Sequence, residues 1–264
     1  MDHSRGLKVV EFGCNDAGHN MALDWHLFAS CEQDPRDAFV RFYTWCPSAL
    51  SLGFFECPDA IDHSRAQREG IQIVKRPTGG RVVLHKEDLT YTIVLPRKPG
   101  ATGSETYIMV SNCIVDGLIS LGAKVEMARG SPARSASRTK PCFLSAARHE
   151  IIHAGRKVVG SAQRMGRNAV LQHGSIPLGR GYLEVVNYLS CGEDEKQSLI
   201  SDMKAATTCL EDIVGREVEP STVASALLDA FAGRFGGPVR YVPDHAHADE
   251  ISPNAPRLGG ANRA

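Results

Sequence analysis

Residues 38 to 45, AFVRFYTW, are rich in aromatic and branched side chains and end at Pro47, and this predicts a strand. Ahead of it, NMALDWHLFASC (20 to 31) sets Met21, Leu23, Trp25, Leu27 and Phe28 among polar residues in a mixed period. That pattern predicts an amphipathic helix, with Asp16 or Asn20 as its cap. SLGFF (51 to 55) reads as a second short strand or a turn, and QIVKRPTGGRVVLHKEDLTYTIVLP (72 to 96) as strand, glycine turn, strand, turn, strand. In SETYIMVSNCIVDGLISL (104 to 121), Ile108, Val110, Ile114, Leu118 and Leu121 recur at near-helical spacing, and Gly122 follows as a stop. KVEM (124 to 127) predicts a short strand, and RGSPARSASRTK (129 to 140) a loop. Residues 149 to 179 predict a meander of short strands joined at Gly155 and at Met165-Gly166, followed by helices over about 194 to 214 and 220 to 233. No internal repeat interrupts the order. Strands and helices in this arrangement predict a mixed α/β (α+β) fold with antiparallel meanders. The tail at 244 to 264, rich in Pro, Gly, Ala and Asn, reads as disordered, leaving 1 to 243 as a single domain.

Composition narrows the partners. The 264 residues suit one fairly large domain or two small ones. Lys plus Arg equals Asp plus Glu at 30 each, so global charge points to neither nucleic acid nor membrane, and any electrostatic recognition is local. No apolar run approaches the roughly 18 to 20 residues that span a bilayer, and MDHSRGLKVVEFG lacks the apolar core of a secretory signal. The eight cysteines are scattered without a CxxC pair, which predicts a reducing, cytoplasmic setting in which most thiols act as small buried hydrophobes.

Three stretches can carry chemistry, and each also has a plain structural reading. In RPTGGRVVLH (76 to 85), adjacent Gly79 and Gly80 let a ligand approach the backbone, and Arg76, Thr78 and His85 flank them; an ordinary hairpin fits equally well. No GK[ST] follows, so this is not a Walker loop. Cys142 and Lys157 lie fifteen residues apart; a lysine cation near a cysteine favours the nucleophilic thiolate, whereas an isolated cysteine more often only packs. The small residues Gly160, Ser161 and Ala162 of VGSAQR, with His173 and Gly174 of LQHGS, leave room for a ligand chain or form tight strand packing around a buried His. The basic loop Arg129, Arg134, Arg138 and Lys140 suits an acidic carrier or a solvated face. His245 and His247 have no third ligand at useful spacing, so no metal is assigned.

Taken together, NMALD, RFYTWCPSALSLGFF, RPTGGRVVLHKEDLTYT, PCF, GRKVVGSAQR and LQHGSIPL occur in collinear order over roughly residues 16 to 235. This set resembles the lipoate-protein ligase and octanoyltransferase family, closest to the cysteine-dependent octanoyltransferases of Gram-positive type. The resemblance implies a biotin/lipoate-ligase catalytic fold, mixed and mostly antiparallel sheets flanked by helices, with a tunnel for an eight-carbon acyl chain. It implies that Arg76, Thr78, Gly79, Gly80 and His85 line the acyl site and that Gly160, Ser161, Ala162, His173 and Gly174 close over it. Lys157 matches the family's central lysine, and Cys142 the cysteine of its short [AP]CF motif. After PCF this chain has LSAARHE, with His149 where the transferases carry Tyr.

The transferase expected from this resemblance takes octanoyl from octanoyl-acyl carrier protein and passes it to a lysine of lipoyl domains or of H-type proteins of glycine cleavage. A Cys142 thioester is the intermediate, Lys157 the base, and no cofactor is needed. The alternatives are an ATP-dependent lipoate-protein ligase using ATP and Mg with Cys142 incidental, an octanoyl amidotransferase between lipoyl proteins, and a non-catalytic lipoyl-binding module.

Overall fold

The computed structural model describes residues 7–128, 149–236 and 240–242. Its strands are β1 (Leu7–Asn15), β2 (Ala38–Trp45), β3 (Ala49–Leu52), β4 (Gln72–Lys75), β5 (Val83–His85), β6 (Asp88–Pro96), β7 (Glu126–Met127), β8 (Ile151–His153), β9 (Arg156–Met165), β10 (Ala169–Pro177) and β11 (Arg240–Val242). Its helices are α1 (Ala17–Gln33), α2 (His63–Arg68), α3 (Gly103–Ser120), α4 (Glu193–Ala206), α5 (Leu210–Val214) and α6 (Pro220–Phe235). Among the described residues, one sheet runs in the order β11-β1-β2-β6-β10-β9-β8-β7, and β4-β3-β5 form a second. Parallel pairing joins β1 to β11 and to β2, and joins β3 to β4; the remaining ladders are antiparallel. The expected mixed, mostly antiparallel α/β fold is borne out.

The period of two along β6 separates the faces of the large sheet. Leu89, Tyr91, Ile93 and Leu95 face the main core, where Val110, Ile114 and Leu118 of α3 and Val223, Leu227 and Phe231 of α6 cover them. Thr102 and Glu105 close a reciprocal capping box at the start of α3. On the opposite face, α1 lays Leu23, Leu27 and Phe28 against Phe39, Val94 and Leu171. Asp16 is the residue that caps α1, accepting from the His19 N–H at 2.9 Å. Two buried polar residues, Asn20 and Asp24, share that inward stripe one turn apart.

Several elements depart from the sequence reading. The helix expected over 194 to 214 is two, α4 and α5, because residues 207–209 leave the helix and run beside β9: the Thr208 N–H donates to the Lys157 carbonyl at 2.9 Å. β1 and β11 lie where no element is predicted. Ala154 and Gly155 both take positive φ, 47° and 78°, making a two-residue hairpin between β8 and β9. Cys14 is disulfide-bonded to Cys46, a pairing their spacing does not announce. Of the other described thiols, Cys31, Cys113 and Cys209 are buried, Cys191 is half-buried and Cys57 is exposed. Burial pushes Cys31 up to about 12 and Cys113 to about 11, which keeps both as inert thiols. No helix among the described residues is long and apolar enough to cross a membrane. Cys142, the basic residues from Arg129 to Lys140, and the tail from 244 with His245 and His247 lie outside the described residues.

Candidate functional site

Cross-strand register builds the site. Arg41, Thr92, His173 and Ala162 stand opposite one another across β2, β6, β10 and β9, and Tyr43, Thr90, Ser175 and Gly160 form the next row on the same face. The intervening row, Phe42, Tyr91, Gly174 and Ser161, belongs to the opposite face. Gly174 carries no side chain there; a Cβ would sit 2.5 Å from the Gly160 carbonyl oxygen and 2.6 Å from the Tyr91 ring. A cavity of about 370 Å³, open mouth included, lies over these rows. Met21 of α1, Trp45, and Ser51, Arg76, Val83 and His85 from the small sheet and its turn complete its wall.

Two Asp–His–hydroxyl chains flank the cavity. In the first, Asp24, wholly buried, accepts from Arg41 Nη1 (3.0 Å), Tyr43 Oη (3.0 Å), Thr92 Oγ1 (2.8 Å) and His173 Nδ1 (3.0 Å). A carboxylate only accepts, so Nδ1 of His173 carries the proton and Nε2 takes the Thr78 hydroxyl at 2.6 Å. Burial, outweighing the pull of Asp24, holds the His173 imidazole below its ordinary value and therefore neutral. For Asp24 the balance reverses. Burial raises it, but the His173 bond, the Arg41 charge and the Thr92 hydroxyl together leave it below the usual carboxylate range.

The second chain repeats the motif. Asp88 Oδ2 lies 2.8 Å from His85 Nδ1, and His85 Nε2 lies 2.9 Å from the Ser51 hydroxyl. Ser175 and Thr90 also donate to Asp88, at 2.6 and 3.3 Å, and Trp45 Nε1 donates to Thr90 at 2.8 Å. The Trp45 and His85 rings stack with centroids 4.0 Å apart. Arg76 holds the glycine turn: Nη1 donates to the Ser51 carbonyl and hydroxyl (2.8 and 3.1 Å), and Nη2 to the Gly79 and Arg81 carbonyls (3.0 and 2.6 Å). Gly80 takes φ 96° and presses against Gly53. These polar groups satisfy one another, so carbon faces of Met21, Trp45, Val83 and Ala162 line a space suited to an alkyl chain.

Lys157 lies on β9 before Gly160, about 10 Å along an extended strand, and is not part of the cavity wall. An extra residue in β9 opposite Ile151–Ile152 lets Val158 and Val159 both enter the core, with Lys157 at the edge of this bulge. Its Nζ lies 2.7 Å from Glu150 Oε1, and each side chain retains about a tenth of its exposure. His149, beside Glu150, takes φ 64°.

The residues singled out in the sequence therefore converge unevenly. Arg76, His85, Gly160, Ser161, Ala162, His173 and Gly174 line one cavity; Thr78 and Gly79 stand behind it through the bonds to His173 and Arg76, and Gly80 packs against Gly53. Sequence reasoning missed the carboxylates Asp24, Asp88 and Glu150, the hydroxyls Ser51, Thr90, Thr92 and Ser175, and the Arg41–Tyr43–Trp45 series. One signal was present: Arg41, Tyr43 and Trp45 alternate, as do Thr90 and Thr92, in strands otherwise dominated by apolar residues.

The large sheet, its small neighbour sheet and the covering helices share their fold with solved lipoate-protein ligases. The bipartite lipoate protein ligase of Thermoplasma acidophilum matches it with a TM-score of 0.76, over 94% of this chain and 92% of that one, at 18% identity. A lipoate-protein ligase A bound with ATP matches at 0.73 over 94% of both chains, again at 18% identity, a likeness of fold. The chain belongs to the lipoyl protein ligase A/B catalytic domain family, matched over residues 16–232. Among curated relatives, the octanoyltransferase LipM of Moorella thermoacetica is 33% identical over 244 residues, 89% of this chain and 88% of that protein. That of Kyrpidia tusciae is 32% identical over 92% and 91%, and that of Staphylococcus aureus 34% identical over 63% and 64%.

Proposed function

We propose that this protein is an octanoyltransferase of lipoate biosynthesis, taking octanoyl from octanoyl-acyl carrier protein through a thioester on Cys142 to a lysine of a lipoyl domain or H-type protein. The observation that carries the reading is similarity to the LipM octanoyltransferases along nearly the whole of both chains, with an apolar cavity lined by RPTGG, GSAQ and QHGS residues. The acyl chain lies in that cavity, its carbonyl toward the Lys157 end of β9. Attack by the Cys142 thiolate on the carrier thioester forms a covalent intermediate, dividing one difficult transfer into two easier ones. The acceptor amine then takes the acyl group as an amide. Thioester to amide is downhill, so neither ATP nor a metal is required.

An ATP-dependent ligase is the competing reading, favoured by the fold shared with an ATP-bound lipoate-protein ligase A. Intact mass spectrometry after incubation with octanoyl-acyl carrier protein, without ATP, separates the two. The expected result is one octanoyl adduct on the wild-type chain and none on Cys142→Ala. Modification of a lipoyl domain by Cys142→Ala supplied with ATP and free octanoate supports the ligase instead.

A further inference from the structure

We infer that Glu150 is a positioning residue for Lys157, fixing its ammonium as an oriented cation that stabilises charge developing on the reacting acyl group. This assignment rests on the transferase reading above and gives Lys157 an electrostatic role in place of that of general base. Three observations lead to it. The two side chains meet at 2.7 Å with only about a tenth of each exposed, so water screens the pair weakly. Their backbones are anchored independently: the Glu150 carbonyl accepts from Ala128 N–H at 2.8 Å, and the Lys157 carbonyl from Thr208 N–H at 2.9 Å. Finally, the two residues stand on either side of the tight Ala154–Gly155 hairpin that joins β8 to β9, the strand that carries Gly160 and Ala162 of the cavity wall.

A charge held in place before reaction needs no reorganisation when the oxyanion forms. In the second half-reaction the acceptor amine nitrogen bonds to the acyl carbon and the acyl carbon–sulfur bond breaks. The sulfur leaves as thiolate, and the proton shed by the nitrogen restores it to the thiol. Lys157 neither gains nor loses a proton in this sequence; its fixed charge stabilises the oxyanion and then the departing thiolate. Without Glu150 the Lys157 side chain would lose the contact that orients it.

The test measures steady-state octanoyl transfer to a lipoyl domain, alongside the Cys142 adduct by mass spectrometry. Glu150→Gln, nearly isosteric but uncharged, should lower kcat about tenfold or more while leaving KM for the octanoyl carrier within about twofold. Glu150→Asp, which draws the charge back by one methylene, should recover part of that loss. In a Lys157→Gln background, Glu150→Gln should cost less than about twofold further, because its effect passes through the lysine. A wild-type kcat in Glu150→Gln, or an equal loss in both backgrounds, overturns the assignment. Should Glu150→Gln show no melting transition, Glu150→Asp decides: a kcat lowered about threefold or more at unchanged KM supports the assignment, and a wild-type kcat overturns it. A wild-type chain that forms no adduct overturns the transferase reading and the assignment with it; an adduct with unimpaired Glu150→Gln turnover overturns the assignment alone.

Discussion

At Gly174 one hydrogen atom decides whether β10 can pack against its neighbours. β10 is buried along its length, and in such a strand glycine ordinarily weakens packing. Here Gly174 faces Tyr91 on one side and Ser161 on the other, with Tyr91 Oη and Ser161 Oγ hydrogen-bonded across it at 2.8 Å. A methyl group would meet the Gly160 backbone and the Tyr91 ring inside contact distance, and neither can move without disturbing the ladder. Gly174→Ala is therefore expected to cost about 1 to 3 kcal/mol of stability by overpacking. Its octanoyl transfer should fall by at least about tenfold, as the wall at Gly160 and Ser161 is displaced. Calorimetry and an acyl-transfer assay check both; a variant with wild-type activity and melting temperature would show that the strands flex here. The glycine was legible in QHGS as a place where something approaches closely. Which atoms approach was not, because they come from β6 and β9.

Among the elements, the β9–β10 hairpin depends on a residue from the far end of α1. Glu32 accepts backbone N–H groups from Arg167, Asn168 and Ala169 at 3.2, 3.0 and 2.7 Å, and its own carbonyl accepts from Asn168 Nδ2 at 2.9 Å. Glu32→Ala leaves three donors without their carboxylate. Charge-assisted bonds of this kind contribute about 1.5 to 3 kcal/mol, and at about 2 to 4 °C per kcal/mol for a chain of this size the melting temperature should drop by several degrees. An unchanged melting curve would mean that water replaces the carboxylate at no cost. This dependence also explains what local pattern reveals and what it hides. AFVRFYTW spans β2, Ala38–Trp45, because aromatic and branched residues suit a half-buried pleat whatever lies beside it. β1 and β11 escaped because they pair across more than 220 residues and β1 shifts register between Val10 and Gly13. The single helix read over 194 to 214 is broken by a tertiary contact, Thr208 to Lys157, that no helical period records. Cys142 and Lys157 stand out as candidate chemistry in the sequence, whereas nothing in it marks Glu150, which meets Lys157 only because β8 folds back on β9.

For the whole molecule, the buried network around Asp24 ties α1, β2, β6, β10 and the glycine turn together, so its titration becomes a property of the fold. The charged and titratable groups around His173 are Asp24, Arg41, Tyr43, Arg76 and His85. Burial, the largest influence, depresses His173 in the folded chain. In the unfolded chain it takes up a proton near its ordinary value of about 6.5. Below that pH the unfolded state binds more protons, and stability falls as pH falls. One proton contributes at most about 1.4 kcal/mol per pH unit. Asp24 acts in the same direction but lower on the scale: held below the usual carboxylate range, it contributes stability above its unfolded value of about 3.9 that is lost as pH drops through its folded value. Two acid phases should follow, a gentle loss starting near pH 6.5 and a steeper one below about pH 4. Melting temperatures measured from pH 7.5 down to 5 test the first phase. Wild type should hold to about pH 6.5 and decline below it, and His173→Gln, whatever its own stability, should decline less steeply there because the group that titrates is gone. Equal slopes in the two proteins would place the uptake of protons elsewhere and remove His173 from the account of acid sensitivity. The same network sets the ring's role at the cavity: with Nδ1–H committed to Asp24 and Nε2 to Thr78, His173 has no proton to move at neutral pH. It holds the shape of the cavity wall.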